Sequence, residues 1–275
     1  MLGPLMNTRI APLPPQPRRY GAVNWIGLHT LVMREVRRFL KVATQTVVAP
    51  VVTTLLLLSV FALALGGSVR PVAGLPFAEF LAPGLIMMAM VQNAFANTSS
   101  SLTIAKVQGN IVDSLMPPLS ATELTLGFAL GGVVRGLAVG CAVALCLLPF
   151  VEIHVHAAGF IVFHGLAAVL LLSLLGVIGG IWSQKFDHIS AFTNFVVTPL
   201  AFLSGTFYTV DRLPEPWHMI ALFNPFFYMI DGFRYGFIGH SDGGLVTGIL
   251  VMTVANILLG AICHRMFATG YRLRA

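Results

Sequence analysis

The sequence predicts an all-α membrane protein: six transmembrane helices, an amphipathic interfacial helix ahead of them, a short cytoplasmic helix between the second and third, and an outer re-entrant helical hairpin. Three observations predict it. Only 9% of the 275 residues are charged while 57% are hydrophobic, so a water-facing surface around an ordinary core cannot be assembled. Several apolar runs approach or exceed the ~18 residues that cross a bilayer. The lysines and arginines, which leave a formal net charge of +6, fall mainly in alternate loops and near the two ends of the chain.

Residues 1–20 combine Pro4, Pro12, Pro14, Pro15 and Pro17 with Arg9, Arg18 and Arg19, a composition that buries too little to fold, and read as a disordered cytoplasmic tail. No h-region with a small-residue cleavage site precedes the first apolar run, so that run is expected to act as an uncleaved insertion signal. Residues 21–43 form the interfacial helix. Leu28, Leu31, Val32, Val36, Phe39 and Leu40 recur at helical spacing, with Arg34, Arg37, Arg38 and Lys41 on the other side and Trp25 suited to the headgroup layer.

The membrane domain covers residues 44–265, with spans at 44–66, 80–99, 123–149, 158–181, 190–208 and 244–265. The fifth carries Asn194, Thr198 and Pro199, tolerated where neighbouring helices satisfy the backbone. Lys106, Lys185, Arg265, Arg272 and Arg274 follow the even-numbered spans, whereas Arg70, Arg212 and Arg234 fall on the other side. Both termini, including a short tail at 266–275, are therefore expected in the cytoplasm. Residues 208–243 lie on the outer side by this rule, yet Trp217, Phe223, Phe226, Phe227, Tyr228, Phe233, Tyr235 and Phe237 are too apolar for a water-exposed loop. Pro214, Pro216 and Pro225 divide that stretch into short helices that re-enter the outer leaflet.

Several residue sets carry weaker chemistry. Cys141, Cys146 and Cys263 sit in apolar runs and imply no disulfide framework, and Met87, Met88 and Met90 read as packing material. Glu152, His154 and His156 alternate in an outer loop, a thin basis for a zinc site. Arg135 stands mid-span, where a charge must face protein or a water-filled cavity, either to tie helices together or to meet an anionic group. The basic balance favours anionic lipid over nucleic acid as a partner, because the arginines do not form a stripe. No glycine is followed by lysine, so the chain has no phosphate-binding loop and no cofactor of its own.

The cytoplasmic stretch after the second span runs Lys106-Val107-Gln108-Gly109-Asn110-Ile111-Val112-Asp113-Ser114-Leu115-Met116-Pro117-Pro118, an amphipathic piece stopped by two prolines. From Gly109 through Asp113, Leu115, Pro117 and Glu123 it resembles the corresponding loop of ABC-2 type permeases, the membrane subunits of one class of ATP-binding-cassette exporter. Gln184 to Ser190 is similar to the loop before their fifth span. Pro199, Phe202-Leu203-Ser204-Gly205, Phe207, Leu213-Pro214, Asn224-Pro225 and Ile230-Asp231-Gly232-Phe233-Arg234 resemble their signature across the fifth span and outer hairpin. The chain departs from the common pattern at Lys106, Val107 and Gln108, where acidic residues often precede the glycine.

The resemblance implies a permease homodimer driven by two copies of a separate ATPase, which holds the ATP and Mg, and export of an amphipathic drug or lipid across the inner membrane. Gln108, Gly109, Asn110, Ile111, Asp113, Leu115 and Met116 are then expected to couple to the ATPase, alongside Arg34, Arg37, Arg38 and Lys41. Arg135, Asn194, Ser204 and Phe207 are candidates for the translocation path, and Asn224, Pro225, Asp231 and Arg234 for the outer hairpin. A glycan, polysaccharide or lipo-oligosaccharide passenger is the alternative within transport. The remote alternatives are a membrane scaffold without flux and an intramembrane serine protease using Ser204 and His264, which the predicted orientation puts near opposite membrane faces.

Overall fold

The computed structural model describes residues 21–65, 74–210 and 213–273. The predicted tail at 1–20 and the loop cations Arg70, Arg212 and Arg274 lie outside the described residues. Among the described residues every extended regular element is helical.

Helix α1 (Trp25–Leu40) starts at Asn24, whose Oδ1 accepts the Gly27 N–H at 2.9 Å, and ends with Arg37 and Arg38 near its negative dipole end. It buries Leu28, Leu31, Glu35 and Phe39, a stripe at helical spacing that includes one carboxylate. A π-helical turn, Thr44–Val48, leads into α2 (Ala49–Leu65). Pro50 has no N–H for the Thr46 carbonyl, and the widened turn absorbs that missing bond. On α2 and the turn before it, Val48, Val52, Leu56 and Val60 form an exposed stripe that suits contact with lipid.

Helix α3 (Phe77–Val107) is the axis of the bundle: 83% of its apolar window is buried, against 11% for the last helix. It packs chiefly on α5 (Ala121–Leu147) and α6 (Ala158–Trp182). Glycines make that approach possible. A Cβ on Gly176 would lie 2.1 Å from Thr98 Oγ1 and 2.6 Å from the Phe95 carbonyl, and one on Gly136 would lie 2.9 Å from the Met90 carbonyl. At this separation Thr98 Oγ1 donates to the Ser173 carbonyl of α6 at 2.9 Å, a polar tie between helices.

α3 runs on past the predicted end of its span at residue 99 and stops at Gly109 (φ +73°). There the Asn110 N–H reaches the Ala105 carbonyl at 2.9 Å and the Gly109 N–H reaches the Lys106 carbonyl at 3.1 Å, a glycine C-terminal motif. What remains for the cytoplasmic helix is one turn, α4 (Val112–Leu115), shorter than the sequence pattern suggests because α3 has taken residues 100–107. Ser120 and Glu123 then cap α5 reciprocally.

By length and apolarity, five helices among the described residues could cross a membrane, beginning at Thr44, Phe77, Ala121, Ala158 and Leu245. The predicted fifth span is instead a rod of three short pieces: α7 (Phe186–Phe192), a π-helical turn Thr193–Val197, and α8 (Thr198–Phe202). Pro199 repeats the device seen at Pro50, and the chain leaves the helix through Gly205 at φ +76°. Two helices follow, α9 (Trp217–Phe223) and α10 (Pro225–Ile238), meeting at Asn224. α10 is buried along most of its length against α6, α3 and α11 (Leu245–Thr269).

Overpacking the α3–α6 contact should be felt directly. Gly176→Val is expected to lower stability by ~1–3 kcal/mol, read as a lower Tm of the detergent-purified protein. Gly260→Ala, with nothing within 4 Å of the added Cβ, should leave Tm unchanged or raise it.

Candidate functional site

One end of the bundle gathers the cations that the loop pattern assigns to the cytoplasmic side. Lys106 Nζ donates to the Ile181 and Ser183 carbonyls at 2.6 and 2.5 Å, and Arg272 Nη1 donates to the Trp182 carbonyl at 2.8 Å. Both cap the C-terminus of α6, where carbonyls lack helical partners and positive charge is favoured. Lys106 therefore has structural work here, a reason for a cation at a position where the resembled family often has an acid.

At the same end, α1 runs alongside the first turns of α5. Glu123 joins them, its carboxylate accepting the backbone N–H of Asn24 and both the N–H and the hydroxyl of Ser120. Further along, Glu35 is 1% exposed against Gly131 of α5, since a Cβ there would sit 2.5 Å from the Glu35 Cβ. Its carboxylate accepts Ser101 Oγ at 2.9 Å, Arg34 Nη2 at 3.2 Å and Arg38 Nη2 at 3.1 Å. The two arginines reach onward, Arg34 Nη1 to Ser114 Oγ of α4 at 2.9 Å and Arg38 Nη2 to the Asn97 carbonyl of α3 at 2.6 Å.

These contacts frame an open groove of about 780 Å³ between α1 and the α3–α4 turn. Of the residues expected to couple, Arg34, Arg37, Arg38, Lys41, Gln108, Asn110 and Asp113 line it together. Gly109 shapes the turn, Ile111 points into the core, and Leu115 packs partly against the apolar cluster beneath. Met116, 76% exposed, projects from the tip with Val112.

A second space, about 880 Å³, lies between α2, α3, α5 and α8. Of the four path candidates only Arg135 lines it, with Nη2 donating to Asn93 Oδ1 at 3.0 Å. Asn194 is exposed on its π-helical turn and lines no cavity described here. Ser204 is buried, its hydroxyl bonded to the Ala201 carbonyl and to Thr206, while His264 is exposed on α11. Phe207 stacks between Phe61 at 4.9 Å and Phe202 at 5.5 Å, and Phe202 borders the cavity.

The four outer-hairpin residues form anchors. Asn224 Oδ1 accepts the Phe226 N–H at 3.0 Å while its Nδ2 donates to the Leu200 carbonyl at 2.8 Å, and Pro225 opens α10 where no N–H is required. Asp231 accepts Ser241 Oγ at 2.6 Å and the Asp242 and Gly243 N–H groups at 2.8 and 3.1 Å. Arg234, 2% exposed, lies 3.9 Å over the Phe80 ring and donates to the Gly205 carbonyl at 2.7 Å. His156 packs edge-on against Tyr235, while Glu152 and His154 form an exposed pair. Among the described residues no three His, Cys, Asp or Glu side chains gather to hold a metal.

The family model described as ABC-2 type transporter matches residues 27–238, from α1 to the end of α10. The chain belongs to the ABC-2 type transporter family. As a member it is a transport permease and not a catalytic enzyme. Inner membrane transport permease YadH of Escherichia coli (strain K12) is 38% identical over 251 residues, covering 91% of this chain and 98% of that protein. Nodulation protein J of Rhizobium leguminosarum bv. viciae is 23% identical over 239 residues, covering 85% and 90%. The bv. trifolii protein of that name is 26% identical over 226 residues, covering 80% and 83%.

Sequence reading missed Glu35 and named Glu123 only within the resembled loop, although the roles of both carried a signal. Glu35 falls on the apolar stripe of α1, four residues after Leu31 and four before Phe39, between Arg34 and Arg38. Glu123 stands three residues after Ser120, the capping spacing. Glu35→Ala is expected to destabilise the permease by about 1.5–3 kcal/mol, the size of hydrogen bonds to a charged group. The lower end is expected because Arg34 and Arg38 keep partial access to water. Faster amide exchange through α1 checks it.

Proposed function

We propose that this permease is the subunit through which a separate ATPase drives export of an amphipathic molecule, such as a drug or lipid, across the inner membrane. The groove between α1 and the α3–α4 turn carries the proposal. It puts an N-terminal helix and a rigid turn side by side at one end of the bundle, both fixed to span-forming helices by Glu35, Arg38 and Glu123. An ATPase gripping Met116 and Val112 and the charged rim would move α1, α3 and α5 as a unit, a rigid-body step that packed bundles support.

In this reading ATP and Mg reside on two ATPase copies, two permease chains pair as a homodimer, and both termini face the cytoplasm. The rod from α7 to α8 serves as the fifth of six crossings, and α9 and α10 re-enter the outer leaflet. The near-complete burial of α10 between α6, α3 and α11 supports that placement of an otherwise outer segment. The translocation route runs past Arg135, with Phe207 at its outer margin.

A glycan or lipo-oligosaccharide passenger is the second reading. The Phe61–Phe207–Phe202 stack favours it, because aromatic faces at the border of a cavity suit sugar rings.

The test is ATPase stimulation in proteoliposomes containing the permease and its ATPase. The double variant Arg37→Glu, Met116→Asp changes two exposed side chains and should leave Tm intact. Loss of an anchor and reversal of a rim charge should weaken coupling about tenfold. Undiminished stimulation, or labelling of a cysteine at position 116 from outside intact cells, would refute the scheme.

A further inference from the structure

The cavity between α2, α3, α5 and α8 has an unbalanced wall. Arg38 and Arg135 line it with Gln92, Asn93 and Thr198, and no carboxylate does. Glu35, which pairs with Arg38, lies behind the wall and is shared with Arg34. Arg135 has no carboxylate within ion-pair distance among the described residues. Its Nη2 has Asn93 for a partner, and its Nε is buried without any protein acceptor.

The two guanidinium groups come from different helices, α1 and α5, and contact successive turns of one face of α3. Arg38 holds Asn97 of α3, and Arg135 holds Asn93 one turn further on. Arg135 sits roughly 20 Å along α5 from its cytoplasmic start, at ~1.5 Å per residue. The positive wall therefore leads from the inner interface toward mid-membrane. The rest of the cavity combines hydroxyls of Thr46, Thr53 and Thr54 with the apolar surfaces of Leu57, Leu85 and Met88.

We propose that this cavity binds the anionic phosphate headgroup of an amphiphile entering from the inner leaflet. Arg135 makes the principal contact, Arg38 the entry contact, and the apolar surfaces accommodate the chain. A guanidinium that lines a low-dielectric cavity without a carboxylate partner is matched by an oxyanion, which it binds through paired hydrogen bonds. The assignment rests on the permease reading above and deepens it by naming the substrate class.

Binding is measured on the purified full-length permease in neutral detergent, without the ATPase, using phosphatidylglycerol, phosphatidylcholine and inorganic phosphate as probes. Phosphatidylglycerol is expected to bind at least ~10-fold more tightly than phosphatidylcholine and to raise Tm, with inorganic phosphate alone producing little shift. Arg135→Gln should remove most of that selectivity, Arg135→Lys should keep part of it, and Arg38→Gln should weaken it less than Arg135→Gln.

Equal binding of the two lipids by the unaltered protein would overturn the assignment whatever the variants do. So would selectivity unaffected by Arg135→Gln, or inorganic phosphate acting as strongly as the lipid. These readouts do not depend on ATPase coupling. Coupling intact with selectivity absent overturns the headgroup site alone; selectivity intact with coupling absent supports the site and overturns the exporter reading.

Discussion

The contact of α3 with α5 and α6, backbone close to backbone across glycines, is the constraint on which the remaining structure depends. In hydrocarbon no hydrophobic force drives helices together, so dispersion at short range and a few interhelical hydrogen bonds must suffice. Gly132, Gly136, Gly176 and Gly180 provide that range, and Thr98 uses it to reach the Ser173 carbonyl. With two sides of α3 closed in this way, its remaining polar side chains are left for a third. Gln92, Asn93 and Ser100 fall there, where α2 and α8 approach less closely and a cavity opens. Tight packing on one face and an open polar seam on another are thus two consequences of where the small residues lie.

Charge is distributed around that axis by the same economy. The described arginines and lysines that are not simply exposed each end on something specific: Lys106 and Arg272 on the carbonyls ending α6, Arg234 on Phe80 and the Gly205 carbonyl, and Arg38 on Glu35 and Asn97. Arg135 is the exception, half-satisfied by Asn93 at the edge of empty space. The chain from groove to cavity is short: Glu35 and Arg38 join α1 to α3 at Asn97, and the next turn of α3 meets Arg135. Packed contacts thus run without a break from α1 and α4 to the seam.

Much of the fold was legible from local pattern. Four of the predicted spans are reproduced as helices long and apolar enough to cross, with ends shifted by a few residues, and the second is present but longer than drawn. The amphipathic helix predicted ahead of the first span is present as α1, with Leu28, Leu31 and Phe39 inward as its period demands. The fifth predicted span and the cytoplasmic helix have limits other than those drawn for one reason: each is set by single backbone events. Gly109 decides where α3 stops, and Pro199 with Gly205 decides how far the α7–α8 rod runs; an apolar window averages over both.

The sequence by itself determined the solvent, the helical class, the approximate spans and the side on which most cations gather, because each follows from composition or from spacing within one segment. It also marked Arg135 as an unusual mid-span charge and placed Arg234 among the candidates for the outer hairpin. Only the tertiary structure decided what they do: Arg234 is locked over a ring, Arg135 faces a cavity, Ser204 is sealed in a turn, and Glu35 ties three helices together. Those outcomes depend on which helix faces which; the four-residue spacing of Gly132, Gly136 and Gly140 and of Gly176 and Gly180 marks faces built for close approach but does not name the helix that each one meets.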